Sequence, residues 1–122
     1  MITGTVEDLE ARIRIKVRGK GEREKEIVAL IDTGYSGFLS LPSTIIASLG
    51  LTWDDVNKAT LADGSECIFD VYRARVVWDR KPVRVFVDEL DGEPLIGMGL
   101  LNGYELRAEV RSRGKVTVKR LR

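Results

Sequence analysis

The chain contains no histidine. That absence removes Ser-His-Asp and Cys-His nucleophilic machinery, histidine general bases and histidine metal ligands together. Its single cysteine, Cys67, allows neither an internal disulfide nor a multi-thiolate zinc site. A reducing compartment suits such a chain, because small secreted domains more often carry a disulfide framework. Neither sign of charge is in excess: 20 Lys plus Arg face 19 Asp plus Glu, for a net charge of +1. No whole-molecule field therefore draws it toward nucleic acid or an anionic membrane. No stretch approaches the roughly 18 apolar residues of a membrane helix, and Met1 to Asp8 lacks the basic and apolar regions of a signal peptide. These absences lead us to expect a soluble cytoplasmic protein whose chemistry, if it has any, rests on carboxylates. No metal and no cofactor are expected.

What is present describes one domain over residues 1–122. Hydrophobic residues make up 43% and charged residues 32%, a globular balance. Ala11, Ile13, Ile15 and Val17 alternate with Arg12, Arg14, Lys16 and Arg18, the period of a strand with one buried face. Gly19-Lys20-Gly21 turns the chain, and Arg18 to Glu26 reads as a solvated hairpin tip. Ile27 to Ile31 is an uninterrupted apolar run, which predicts a strand buried on both sides. Phe38 to Leu41 predicts another strand. Pro42 with Ser43 or Thr44 opens a short helix that Gly50 closes.

Asp63-Gly64 is a hairpin turn signal, with a long strand from Cys67 to Trp78 on its far side. Asp79 to Pro82 turns into Val83, Val85 and Val87, and Asp88 to Pro94 reads as a solvated acidic loop. Leu95 to Leu101 is an apolar approach to glycine followed by a helical turn. Tyr104 to Val110, a turn at Gly114, and Val116, Val118 and Leu121 form a last hairpin. Many short strands with little helix predict an all-β, closed or folded-over antiparallel architecture.

The residues that carry chemistry centre on Ala29-Leu30-Ile31-Asp32-Thr33-Gly34. A carboxylate at the end of an apolar strand must be compensated, because burying an unpaired charge costs several kcal/mol or leaves the group protonated. A second carboxylate sharing one proton would compensate it, as would backbone amides in a glycine-containing turn. The tripeptide alone is equally a β-turn with Asp and Gly in ordinary roles. Its setting adds weight: five apolar residues precede it, an apolar-apolar-Gly segment recurs at Leu95-Ile96-Gly97, and the Asp63-Gly64 hairpin lies between them.

With these segments the sequence resembles the retropepsin-like aspartic proteases, including their small prokaryotic members. The matching residues are Leu30 to Gly34 for the catalytic loop, Leu61 to Cys67 for the flap hairpin, and Leu95 to Leu101 for the apolar-apolar-Gly segment and its helix. In order and spacing the match runs from about Ala11 to Val118. The resemblance implies a small closed β-barrel with one or two short helices and a flap hairpin. It also implies a homodimer in which each copy gives one aspartate to a shared dyad, since this chain has one Asp-Thr-Gly. The activity implied is that of an aspartic endopeptidase acting on peptide or unfolded protein through an activated water. Asp32 is then the acid or base, Thr33 ties the two loops together across the dyad axis, and Gly34 lets the backbone approach the carboxylates. Tyr35, Ser36, Ala62, Asp63, Gly64, Ile96 and Gly97 are the expected substrate-side residues, with Asp63-Gly64 near the flap tip and Gly97 packed under the catalytic loop.

The chain departs from the viral pattern, in which Ala and then Asp follow Asp-Thr-Gly and that Asp pairs with an Arg after the second glycine segment. Tyr35, Ser36 and Met98 stand at those positions, so both charged partners are missing together. Two other readings compete. One is a non-catalytic module of the same fold that binds an extended peptide under the flap. The other is a small basic barrel touching nucleic acid through its C-terminal strands, where Arg107, Arg111, Arg113, Lys115, Lys119, Arg120 and Arg122 face one acid, Glu109. Edge strands use such charges against aggregation, so nucleic acid is not the expected partner. Trp53 and Trp78 are expected in a core or interface, and Cys67 as a small packed side chain.

Overall fold

The computed structural model describes residues 1–122. Ten strands form in chain order: β1 (Ile2–Glu7), β2 (Glu10–Arg18), β3 (Glu24–Ile31), β4 (Leu39–Leu41), β5 (Thr52–Thr60), β6 (Glu66–Trp78), β7 (Lys81–Glu89), β8 (Leu95–Ile96), β9 (Tyr104–Ala108) and β10 (Lys115–Arg120). The helices are α1 (Ser43–Leu49) and α2 (Met98–Leu101). Neither is long and apolar enough to cross a membrane. The all-β reading with one or two short helices holds.

All ten strands belong to one sheet, in the order β5-β6-β7-β4-β8-β3-β2-β1-β10-β9, which closes on itself through a further β2–β6 pairing. The closure depends on a fork in β2. Gly4 to Glu7 of β1 pair with Glu10 to Ile13, while Arg75 to Val77 of β6 pair with Lys16 to Arg18 farther along. Six strands, β6-β7-β4-β8-β3-β2, therefore make a ring; β1, β10 and β9 stand outside it as a wing, and β5 extends from β6 at the other end of the order. The ring is not a regular barrel, because β4 and β8 contribute only three and two residues to it.

The alternation in β2 does what the period demands: Ile13, Ile15 and Val17 are buried and Arg14 and Lys16 exposed. Val76, Trp78, Val85, Val87, Val116 and Val118 meet them in a core of 21 buried residues. In α1, Ile46 and Leu49 face that core, and Gly50 caps the helix in the left-handed conformation at φ 59.

Two expectations give way. The run Ile27 to Ile31 is buried on one face only, with Val28 42% exposed, because no layer covers the outside of the ring there. The acidic loop begins later than expected, since Asp88 and Glu89 belong to β7. Their backbones are held between Val71 of β6 and Ser40 and Leu41 of β4. Trp78 lies in the core, whereas Trp53 is half exposed and donates its ring N–H to Asp70 Oδ1 at 3.0 Å. Cys67 is partly buried.

Strand β1 turns Ile2, Gly4 and Val6 inward and leaves Thr3, Thr5 and Glu7 exposed, held between β2 and β10. Its hairpin to β2 turns through Asp8 and Leu9, both at positive φ (52 and 62), the geometry of a primed two-residue turn. Leucine gains nothing there, being 83% exposed. Leu9→Gly is expected to raise stability by about 0.5–1 kcal/mol by removing the left-handed backbone penalty, measured by urea unfolding; a loss would show that Leu9 packs in solution.

Candidate active site

Strands β3 and β8 run parallel, with Leu30 beside Leu95 and Ile31 beside Ile96. This pairing delivers Asp32 to one end of the ring, where its main-chain N–H donates to the Ile96 carbonyl at 2.9 Å. The side chain folds back into an Asx turn, Oδ1 accepting from the Gly34 N–H at 2.9 Å. Of the two ways to compensate a carboxylate at a strand end, a backbone amide in the glycine turn is present within one chain. It engages one oxygen.

The second glycine segment is stitched to the residues after Asp32. Gly97 N–H donates to Phe38 O at 3.1 Å, Met98 N–H to Tyr35 O at 2.7 Å, and Gly99 N–H to Gly37 O at 3.0 Å. A Cβ on Gly97 would stand 2.7 Å from Tyr35 O and closer still to Gly37 O. Only glycine lets the two turns meet. Gly97 packs under the loop as its glycine segment predicts, and both it and Ile96, also expected on the substrate side, are buried and support the loop from below.

The tyrosine that replaces the small residue of the viral pattern reaches across to β7. Its hydroxyl donates to Asp88 Oδ2 at 2.5 Å. Burial raises the Tyr35 hydroxyl well above its ordinary value, and the bond to Asp88 and that carboxylate's charge act in the same direction. Burial also pushes the Asp88 carboxyl up, against the opposing effect of the Tyr35 hydrogen bond. Tyr35 thus fastens the Asp32 loop to β7 without a full ion pair. Asp88 was not legible as a site residue. The one sequence signal was the Val83, Val85, Val87 alternation, which continued two residues farther would have set Asp88 on the Phe86 face.

Thr33 and Ser36 are exposed and line a concavity of about 550 Å³ together with Met98, Leu101, Tyr104 and Leu106. On the other side, Gly37 and Phe38 form one wall of a groove of about 360 Å³, with Asp55 and Val56 of β5 and Phe86 and Asp88 of β7 opposite. Strands β5 and β6 rise from this groove as a hairpin whose tip holds Ala62, Asp63 and Gly64, all exposed. Gly64 takes φ +86, and Asp63 Oδ1 accepts from the Ser65 N–H at 2.9 Å and the Ser65 hydroxyl at 2.5 Å, which hold the Asp63 carboxyl below its ordinary value. Asp63 is therefore a turn residue. No hydrogen bond or ion pair joins the tip to the Asp32 loop, so the hairpin stem, and not its tip, shares the groove.

No family model and no curated protein matches the chain in sequence. In structure it is similar to a retropepsin-like aspartic protease from Rickettsia conorii, with a TM-score of 0.56 and 16% identity over 100% of this chain and 92% of that one. The fold is retropepsin-like. Within this retropepsin-like frame the parallel β3–β8 pair, the glycine contact and the hairpin stem gather Asp32, Thr33, Gly34, Tyr35 and Ser36 at one end of the ring.

Gly97→Ala is expected to cost about 3 kcal/mol by forcing the two turns apart. Tyr35→Phe leaves Asp88 without its donor and is expected to cost about 1 kcal/mol. A raised carboxyl means that the folded chain keeps the Asp88 proton to higher pH than the unfolded chain does. This group therefore makes stability fall as pH rises from the ordinary aspartate range through the raised value. Asp88 is half exposed, so the slope is worth less than about 1 kcal/mol. Asp88→Asn keeps an acceptor for Tyr35 and is expected to flatten the slope in urea unfolding across a pH series; an unchanged slope would contradict the assignment.

Proposed function

We propose that the chain is an aspartic endopeptidase that works as a homodimer, with a water held between the Asp32 carboxylates of two copies. The observation that carries this reading is Asp32 at the end of β3, with one oxygen fixed by Gly34 and the loop seated on Gly97, in a retropepsin-like fold. Two carboxylates about 3 Å apart cannot both ionise, so the pair holds one proton between them over a range of pH. The ionised member takes a proton from water as the water oxygen attacks the peptide carbonyl. The protonated member gives its proton to the carbonyl oxygen. Collapse of the tetrahedral diol breaks the C–N bond as a proton passes to the departing amine. Nothing in this sequence of steps requires histidine.

One chain supplies half of such a site. Strand β9 favours the missing half coming from a second copy, because it ends the sheet with one edge unpaired. Glu105 and Arg107 flank Leu106 on this strand. Antiparallel self-pairing centred on Leu106 would set a glutamate opposite an arginine on both sides of a two-fold axis. The concavity holding Thr33 and Ser36 is bounded by the same strand through Tyr104 and Leu106, consistent with an axis close to the Asp32 loop.

Cleavage of a diverse unstructured peptide mixture, followed by mass spectrometry from acid to neutral pH, tests the chemistry. Wild type is expected to cleave with a bell-shaped pH profile and Asp32→Asn to lose cleavage by at least about 10³-fold. Equal cleavage by both overturns the proposal, and no cleavage by a folded, dimeric wild type transfers the assignment to a peptide-binding module. For the interface, Glu105→Lys is expected to weaken self-association in sedimentation velocity. Glu105→Lys with Arg107→Glu restores it if the strands pair as described; a charge swap that restores nothing contradicts that register.

A further inference from the structure

A concavity of about 540 Å³ lies away from the Asp32 loop and is lined by Arg18, Lys20, Arg73, Arg75 and Arg84, with no acidic side chain among its lining residues. The arrangement follows from strand register. Arg18 of β2 sits directly opposite Arg75 of β6, which sits directly opposite Arg84 of β7. All three belong to the outward-facing set of their strands, so three guanidinium groups stand in one row across the sheet. Like charges directly opposite destabilise a sheet. Two of the five cations have carboxylate partners, Arg18 with Glu24 at 2.9 Å and Arg73 with Asp54 at 3.3 Å. Arg75, Arg84 and Lys20 form no ion pair.

The rim is rigid: Lys20 N–H donates to Leu49 O at 2.9 Å, and Gly19 packs so closely on Leu49 that a Cβ would strike its carbonyl. In a chain whose charges otherwise balance, an unrelieved row of this kind stores a local field that an anionic ligand relieves.

Two exposed phenyl rings connect this row to the groove beside the Asp32 loop. Phe38 and Phe86 pack at 6.4 Å between centroids, and both line the arginine concavity and the 360 Å³ groove. We propose that the arginine row receives an acidic segment of the peptide substrate, continuing past Phe38 and Phe86 from the groove. This rests on the peptidase reading of Asp32 and adds to it the substrate's class: an extended chain with aspartate or glutamate residues to one side of the scissile bond. Neighbouring strands are about 4.8 Å apart, so the row spans roughly 10 Å, long enough to face two successive same-side side chains of an extended peptide, which recur about every 6.8 Å. A peptide is favoured over a nucleic-acid strand because the row continues a groove walled by a hairpin stem and an aspartate loop, where acidic Asp54, Asp55 and Asp88 would repel phosphates.

The test is fluorescence anisotropy on Asp32→Asn protein, which does not cleave, with labelled hexaglutamate, hexaglutamine and an oligothymidine of equal charge at fixed low salt. Hexaglutamate is expected to bind about tenfold more tightly than hexaglutamine, and Arg75→Ser with Arg84→Ser to remove that difference. Arg84→Glu is expected to do the same while holding or raising the melting temperature, since it places opposite charges side by side. Equal binding of the two peptides, or indifference to the arginine variants, overturns the inference. Tighter binding of oligothymidine that the same variants abolish assigns the row to nucleic acid and also overturns it. Because no chemistry is read, failure here leaves the peptidase assignment standing. A wild type that cleaves neutral peptides but shows no acidic preference gives the same separation from the other side.

Discussion

A carboxylate can be offered at the end of an apolar strand only if the backbone around it is held without help from a counter-ion. Here a glycine contact does the holding. The loop after Asp32 sits on Gly97 at a distance no side chain tolerates, three main-chain hydrogen bonds cross the contact, and the parallel β3–β8 pair fixes the two segments in register. The Asp32 side chain then needs one amide, from Gly34, to set the direction of one oxygen. Moving Gly97 outward would release the loop, and the Asx turn would no longer point anywhere in particular.

The rest of the frame distributes what this contact leaves undone. The fork in β2 closes six strands into a ring and sends β1, β10 and β9 off as a wing, so the Asp32 end has a ring on one side and a free sheet edge on the other. Where the viral pattern has a charged pair, this chain has Tyr35 and Asp88, a neutral donor on a half-exposed carboxylate. That substitution avoids leaving one charge buried alone, which costs far more than an exposed pair contributes. It also ties the loop to β7, the strand that carries Phe86 and Arg84, so the groove and the arginine row share a wall with the brace.

Most strands were legible because their periods were: Ile13, Ile15 and Val17 in β2 and Val85 and Val87 in β7 alternate as buried faces must, with Val83 at the exposed start of the same face. The left-handed cap at Gly50 and the turn at Asp63-Gly64 also stood in the sequence as local backbone requirements. What failed was long-range. An apolar run such as Ile27 to Ile31 does not say whether a second layer covers it, and Val28 has none. Strand β1 alternates only weakly, with Gly4 in the middle of its inward set of Ile2, Gly4 and Val6, and pairing with β2 and β10 holds it in place. Asp88 looked like the start of an acidic loop because its strand neighbours, Val71 and Ser40, are distant in sequence. Arg18, Arg75 and Arg84 are unremarkable singly and become a row only when register sets them opposite one another. Of the site, the Asp32 loop and its glycine partner could be read from residues, whereas its brace and groove walls needed the pairing of β6, β7 and β4.

The account turns on a site divided between two copies, and mixing tests that division most directly. Wild type at fixed concentration is titrated with Asp32→Asn under conditions where dimers exchange, and peptide cleavage is followed. If each dyad needs both aspartates, excess variant draws wild-type chains into mixed dimers and activity falls toward zero as wild-type dimers are depleted. Activity that stays constant while mixed dimers form would show that a single Asp32 suffices and would contradict the shared dyad.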